Sequence, residues 1–216
     1  MQKSHAFNSI REAILKGDLK PGQPVTEDQL SRSLKVSRTP IREALIRLES
    51  EGLVRILKNK GAFVREITPV DIAEIFELRI LLEGHAARAC IPIIAMSDVA
   101  DLLREFRVLD RGGSGDQAAR LELGSRLHDL VVNSAGNLRL TRLVEVLKTQ
   151  IVWIQSYATL VPGRTDKSFR EHIEILEAIS RRDGNTAERA MRRHLENTMN
   201  ELLAVDNLPV LSALMR

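Results

Sequence analysis

The chain has 216 residues, a formal net charge of +3 and one cysteine. This length is enough for two compact domains with separate cores, and a single cysteine excludes an intrachain disulfide. The apolar stretch at residues 89–96 is far shorter than the roughly 18 residues that cross a bilayer. The first predicted helix, residues 7–16, is charged and unlike a signal peptide. We therefore expect a cytoplasmic protein without a membrane role.

Positive charge is concentrated at the start of the chain. Residues 1–67 hold 13 lysines and arginines against 8 acids, whereas residues 68–216 hold 19 against 21. An excess of cations in one part of a chain is typical of a polyanion partner such as nucleic acid, although it is not specific to one. The charge distribution therefore favours a nucleic-acid contact in the first part.

Two short helices are predicted after the first one. Thr26 and Gln29 have the spacing of a capping box, so a helix begins just after Thr26. Ser37 is a favourable N-cap for a second helix that begins at about Arg38, and Pro40 falls in its first turn, where a missing N–H removes no helical hydrogen bond. This order, helix, tight turn and helix, is typical of a helix-turn-helix.

The second of these helices has two different faces. Its apolar residues recur at the i, i+4, i+7 spacing of a core-facing stripe. Three polar residues at its N-terminal end point away from that stripe: Arg38, Thr39 and Arg42. The N-terminal residues of a recognition helix reach base edges in the major groove, where arginine is the best partner of guanine. Taken alone, the arginines would indicate only a solvated surface.

A basic hairpin follows the second helix. Residues 53–57 predict a strand, residues 58–61 a turn with two lysines, and residues 62–64 the returning strand. The turn would carry its lysines to a phosphate or a minor groove. Helix-turn-helix and hairpin together predict a winged helix-turn-helix that binds double-stranded DNA.

The segments VSRTPIREAL, LESEGLV and KGAFV resemble the DNA-binding domain of GntR-type bacterial transcription regulators over residues 7–65. The resemblance implies a set of DNA-contacting residues in the recognition helix and the wing: Ser37, Arg38, Thr39, Arg42, Lys60 and Gly61. Asp28 stands where some members of that family have a base-reading arginine. The resemblance therefore implies DNA binding without giving the operator sequence.

A second domain is predicted from Thr68, an N-cap followed by Pro69 at the first helical position. We therefore place the domains at residues 1–67 and 68–216. Six helices are expected in the second: residues 69–90, 97–110, 116–134, 138–159, 166–181 and 184–204. The predicted fold is mainly all-α, with an N-terminal winged helix-turn-helix, its small β-hairpin wing and a C-terminal antiparallel six-helix bundle.

Three histidines lie on the inward faces of three of these helices: His128, His172 and His194. A single inward histidine is commonly a hydrogen-bonded core residue. Imidazoles that converge from facing helices are also a standard way to hold a metal in a bundle. Three neutral nitrogens and an open position suit zinc first, with nickel or manganese as alternatives. The histidines are therefore either a metal site or a polar cluster.

Arg79 is another inward residue, and its charge needs an anion. Glu83, one helical turn further on, is one choice. The other is the carboxylate of a small effector, which a guanidinium binds bidentately. Trp153 and Tyr157, one turn apart, either wall such an effector pocket or belong to the core.

Residues 76–88, 127–137, 171–179 and 192–199 resemble the FCD effector domain of FadR-type GntR regulators. That resemblance implies a homodimer on a two-fold symmetric operator, a small organic acid as effector, and a metal held by three histidines and an aspartate. His128, His172 and His194 match the histidines by position, but Gly124 occupies the place of the aspartate. Losing an anionic ligand predicts weaker metal binding.

Two function classes follow from these observations. The first is a DNA-binding transcription regulator, a repressor, whose operator binding is controlled by a small carboxylate. The second is a metal-dependent, hydrolase-like enzyme in which the three histidines hold an ion that activates water. The enzyme lacks an obvious general base, and we find no catalytic residue for covalent chemistry. We therefore predict a regulator and not an enzyme.

Overall fold

The computed structural model describes residues 2–111, 116–159 and 161–204. These residues form two compact units: residues 2–69 with residues 146–156 make up the first, and the remaining described residues make up the second. In the described ranges, helices predominate and the strands belong to the first unit, as the sequence predicts. No helix of these ranges is at once long and apolar enough to span a membrane.

Residues 2–69 of the first unit contain three helices and three short strands. Their bounds are α1 (Gln2–Leu15), β1 (Pro24–Val25), α2 (Glu27–Leu34), α3 (Arg38–Ser50), β2 (Val54–Leu57) and β3 (Gly61–Val64). Thr26 Oγ1 accepts from Gln29 N at 3.3 Å and donates to Gln29 Oε1 at 2.9 Å, so the predicted capping pair starts α2. Ser37 is the N-cap of α3, but its side chain makes no capping hydrogen bond.

The sheet has one strand more than the predicted hairpin. Its order is β1-β3-β2 with antiparallel pairs, and β1 pairs Pro24 with Phe63 and Val25 with Ala62. The short β1 therefore fastens the segment before α2 to the wing. Buried apolar side chains of α1, of α3 and of the residue before β2 form the core of this part of the unit: Ile10, Ile14, Ile41, Leu48 and Leu53.

Six long helices follow in the described part of the chain, close to the predicted bounds. They are α4 (Pro69–Ala89), α5 (Met96–Arg111), α6 (Gln117–Asn133), α7 (Leu138–Ala158), α8 (Arg164–Ser180) and α9 (Gly184–Leu203). Residues 146–156 of α7 belong to the first unit. Helix α8 begins at Arg164 and not at residue 166, and its N-cap, Gly163, adopts a left-handed conformation (φ 73°) that glycine takes without strain.

The second unit is organised around α8, which packs against α5, α6 and α9. Phe106 of α5 and Phe169 of α8 are fully buried, with ring centroids 4.8 Å apart. Burial of such aromatic pairs contributes substantially to a helical core. The inward faces of α4, α6, α8 and α9 also carry buried charged and imidazole side chains, and these define the site described next.

Candidate functional site: an arginine-bearing helix and a histidine centre

The N-terminal end of α3 presents two exposed arginines. The side chains of Arg38 and Arg42 are 69% and 68% exposed, and Thr39 beside them is also exposed. Each arginine approaches a carboxylate at the start of α2. Arg38 Nε lies 2.7 Å from Asp28 Oδ1. Arg42 donates from Nε and Nη2 to the two oxygens of Glu27, at 2.8 and 3.0 Å.

The wing is tied to α3 and ends in an exposed turn. Ile56 N of β2 donates to Glu49 Oε1 of α3 at 2.7 Å. Lys60 and Gly61 are exposed at the turn, where Gly61 has φ 88°. A Cβ at Gly61 would meet no atom within 4 Å, so the conformation and not the available space favours glycine.

A groove of about 430 Å³ lies between α3 and the wing. Its lining is largely apolar and includes Ile46 and Ile56, both partly exposed, together with Arg42 and Lys60. Arg42 of the helix and Lys60 and Gly61 of the wing therefore border the same groove.

The three predicted histidines converge inside the second unit. His128, His172 and His194 are buried, and one nitrogen of each lies within 4.8 Å of the others. His172 Nε2 and His194 Nε2 are 3.1 Å apart. Burial, together with the charges of neighbouring imidazoles, lowers the pKa of His172 and of His194 well below the ordinary value. Both rings are therefore neutral at pH 7, the form that ligates a metal.

Two carboxylates orient two of these rings. His128 Nδ1 lies 2.5 Å from Glu83 Oε2, and His194 Nδ1 lies 2.7 Å from Glu171 Oε2. A carboxylate only accepts hydrogen bonds, so a neutral ring in this position carries its hydrogen on Nδ1 and has a lone pair on Nε2. This is the arrangement by which carboxylates orient histidine ligands of metals.

Arg79 is fixed by the first of these carboxylates. It is 3% exposed and donates from Nε to Glu83 Oε1 at 2.6 Å. Burial would raise the pKa of Glu83, but Arg79 and His128 together hold that pKa well below its ordinary value. The anion that Arg79 needs is therefore supplied within α4. Its proposed contact with an effector stays a prediction.

His172 differs from the other two histidines. Its Nδ1 is buried and has no hydrogen-bond partner among the described residues. The ring lies against Gly124 of α6, where an added Cβ would stand 2.7 Å from His172 Cε1 and 3.2 Å from Nδ1. The place at which an acidic ligand was expected from the family resemblance is thus partly occupied by the His172 ring.

This contact predicts an unusual effect of Gly124→Ala. Alanine is favoured over glycine in a helix by about 1 kcal/mol, but crowding of a packed site costs about 1–3 kcal/mol. We expect Gly124→Ala to lower the free energy of unfolding by about 1 kcal/mol in the wild-type background. In the His172→Ala background the same change should raise it. Urea denaturation followed by circular dichroism measures both, and a stabilising effect in both backgrounds would contradict the contact.

The residues present fit a divalent ion in part. Two nitrogens bound at 2.0–2.1 Å to a tetrahedral zinc stand roughly 3.3 Å apart, close to the 3.1 Å between His172 and His194. His128 and His194 also have orienting carboxylates. His172 lacks one within the described residues. Three imidazoles are therefore placed to hold an ion with a position left open.

Two known protein families match the two parts of the chain. The family of FCD domains matches residues 74–197, and the gntR family of bacterial regulatory proteins matches residues 2–64. The chain belongs to the GntR family and carries an FCD domain. The winged helix-turn-helix and the all-helical unit are therefore the two parts of a GntR-type transcription regulator, and the enzyme alternative is set aside.

Relatives and solved structures agree with this assignment. The regulator is 26% identical over 198 residues to the uncharacterized HTH-type transcriptional regulator YdhC of Bacillus subtilis, covering 91% of this chain and 88% of YdhC. It is 29% identical to the HTH-type transcriptional repressor RspR of Escherichia coli, covering 88% and 84%. A putative GntR regulator from Rhodococcus has the same fold, with TM-score 0.77, 21% identity and coverage of 95% and 99%.

The remaining predicted effector contacts are both buried. Tyr157 belongs to the second unit of the regulator and Trp153 to the first. Their part in a pocket stays a prediction.

Two residues with clear contacts at the histidine centre, formed by His128, His172 and His194, were missed in the sequence. They are Glu171, and Arg164, whose guanidinium contacts Glu171. The position of Glu171 directly before a predicted ligand was the available signal for it.

Proposed function

We propose that this regulator is a homodimeric repressor that binds a two-fold symmetric operator through α3 and the wing. The observation that carries the proposal is the pair of exposed arginines, Arg38 and Arg42, at the N-terminal end of α3, with Lys60 at the wing turn. The similarity to RspR, which is named as a transcriptional repressor, supports repression. Ser37, Thr39 and Gly61 complete the proposed contact set.

The DNA-binding part is tested with a duplex selected by the wild-type protein from a randomised library. We expect Arg42→Ala to weaken binding to that duplex by about 1–3 kcal/mol, because a bidentate contact to guanine would be lost. Lys60→Ala should weaken binding to all duplexes evenly and lower the salt slope by about 1. Arg104→Ala, which removes an exposed charge from α5, is the control. Unchanged affinity in the first two variants would contradict the proposal.

We further propose that a small carboxylate controls operator binding from the second unit, through a divalent ion held by His128, His172 and His194. Zinc suits this nitrogen-rich set best, with nickel or manganese as alternatives. The ion would supply a Lewis-acid site for one carboxylate of the effector. Arg79 would act through Glu83, which it holds against His128. Binding of the small carboxylate would then change the fraction of dimers that are able to bind the operator.

Elemental analysis and native mass spectrometry of gently purified protein test the metal. We expect about one divalent ion per chain in the wild type and none in His172→Ala, because two imidazoles hold an ion much less firmly than three. His85→Ala, at an exposed position of α4, is the matched control and should retain the ion. An ion retained in His172→Ala would place the metal elsewhere. Metal-free wild-type protein that takes up none of the three ions would leave the histidines as polar lining.

A further inference from the structure

Two consecutive acids at the start of α2 contact the two arginines of α3. Glu27 accepts from both Nε and Nη2 of Arg42, and Asp28 approaches Nε of Arg38. Both contacts join residues that are ten or more positions apart in the sequence, on different helices. The two contacts differ in detail: Arg42 makes two hydrogen bonds to Glu27, whereas Arg38 makes one ion-pair contact with Asp28 at Nε.

The edge that the acids occupy decides what the arginines can still bind. A guanidinium has five N–H donors in one plane. Glu27 takes the edge of Arg42 that contains Nε and one hydrogen of Nη2, and Asp28 lies at Nε of Arg38. Donors therefore remain on the two terminal nitrogens of each arginine. Guanine presents N7 and O6 side by side in the major groove, and they match two donors of one guanidinium. The acid contacts are therefore compatible with an arginine that binds guanine end-on, that is, through its two terminal nitrogens.

Acids on this surface also carry a disadvantage. A carboxylate near DNA is repelled by the phosphates, and the free energy of nonspecific binding comes mostly from phosphate contacts. The hydrogen bond from Arg42 lowers the pKa of Glu27, so its carboxylate is ionised at neutral pH. A long, exposed arginine that is free to rotate loses much conformational entropy on binding, and a fixed one loses less. The acids thus oppose binding to any DNA while favouring a fixed arginine geometry.

We infer that Glu27 and Asp28 are positioning residues for base recognition: they hold Arg42 and Arg38 for end-on contact with guanine, and their charges weaken binding to DNA of every sequence. The inference rests on the proposed function, because it requires this surface to bind DNA. It assigns selectivity to two acids that do not themselves contact the base.

The experiment separates the effect of the acids' negative charge on DNA affinity from their effect on the position of the arginines. The probes are a duplex selected by wild-type protein, versions with each selected guanine replaced by adenine, and a scrambled duplex. Glu27→Gln and Asp28→Asn remove the charge but keep an acceptor, whereas Glu27→Ala and Asp28→Ala remove both. Glu27→Asp keeps the charge on a shorter side chain. Asp18→Asn, an exposed acid of the same unit, controls for net charge, and fluorescence anisotropy at several salt concentrations gives the affinities.

We expect the alanine variants to lose at least about fivefold of the preference for guanine over adenine at the position read by the affected arginine. The Gln and Asn variants should bind every duplex more tightly and keep most of that preference. Glu27→Asp should lose preference without gaining affinity for the scrambled duplex. This last variant keeps the test decisive if an alanine variant folds poorly.

Alanine variants that keep the full preference and only gain affinity evenly would overturn the inference, because the acids would then merely repel DNA. Full preference in Glu27→Asp would overturn it for Arg42. Failure of the proposed function has a different result: wild-type protein would select no sequence from the library, and no variant would change that.

Discussion

Replacing Glu83 with alanine is expected to lower the free energy of unfolding by about 3–5 kcal/mol, because a buried charge would lose its partner. Glu83 is 1% exposed and joins Arg79 and His128, which are themselves buried. Without the carboxylate, the Arg79 guanidinium remains in a poorly hydrated site and has lost the anion with which it pairs in the structure. Urea denaturation followed by far-ultraviolet circular dichroism measures the change.

The matched control is the double variant Arg79→Met with Glu83→Leu. Replacing both partners of a buried ion pair by apolar side chains of similar volume is often neutral or stabilising. We therefore expect the double variant to recover part of the stability lost in Glu83→Ala, because His128 Nδ1 still loses its acceptor, at a cost of about 1–3 kcal/mol. A loss below about 1 kcal/mol in the single variant would mean that Arg79 can reach water, contrary to its burial.

Replacing Arg164 with alanine should have a comparable effect, a loss of about 3–5 kcal/mol. Arg164 is 1% exposed; it contacts Glu171 on its own helix and joins α8 to α9 through Glu201 Oε1 at 3.3 Å. Its Nε also donates to Ser168 Oγ at 2.9 Å. The variant loses a large buried side chain and leaves Glu171 without its cation. Urea denaturation measures the loss.

The same variant should affect the histidine centre. Glu171 orients His194 through Nδ1. Supporting contacts of this kind are typically worth 10–100-fold in metal affinity. We therefore expect weaker zinc binding in Arg164→Ala, which removes the cation beside Glu171. Arg164→Lys keeps the charge but not the planar fork, so we expect a smaller loss of stability and of zinc affinity. Competition with a chromophoric chelator measures the affinity. Zinc affinity equal to that of the wild type in Arg164→Ala would show that Glu171 does not need Arg164 to orient His194.

The helices of this protein were predictable because their signals are local. Thr26 and Gln29 are three residues apart, and the breaks between the later helices contain glycine, proline or asparagine. Strand β1 has no such signal. It consists of Pro24 and Val25, and its pairing partners, Phe63 and Ala62, are more than 35 positions away. A strand that depends on a distant partner cannot be read from its own composition.

The histidine centre was predictable in its ligands but not in its supporting residues. Helical periodicity places His128, His172 and His194 inward without any knowledge of their neighbours. The same periodicity assigns Glu171, one position before His172, to another face of α8. In the structure, however, the Glu171 carboxylate reaches His194 on α9. The sequence left two partners open for Arg79, and only the three-dimensional arrangement selects Glu83.

Gly124 shows how a substitution can be misinterpreted from sequence alone. Its place in the family resemblance suggested only that a metal ligand is missing. In the structure, the absence of a side chain lets the His172 ring approach the α6 backbone. The glycine thus changes the position of another ligand as well as the number of ligands, which no pattern within α6 could indicate.

The hydrogen bond from Ile56 N to Glu49 Oε1 has a consequence for the choice of operator. It fixes the first strand of the wing to α3, so the protein sets the distance between the two elements that we propose to contact DNA. A duplex must then match that distance, by its intrinsic groove width or by bending. The free energy of such deformation depends on base pairs that no side chain touches. Operators with stiff or flexible steps at uncontacted positions should therefore differ in affinity.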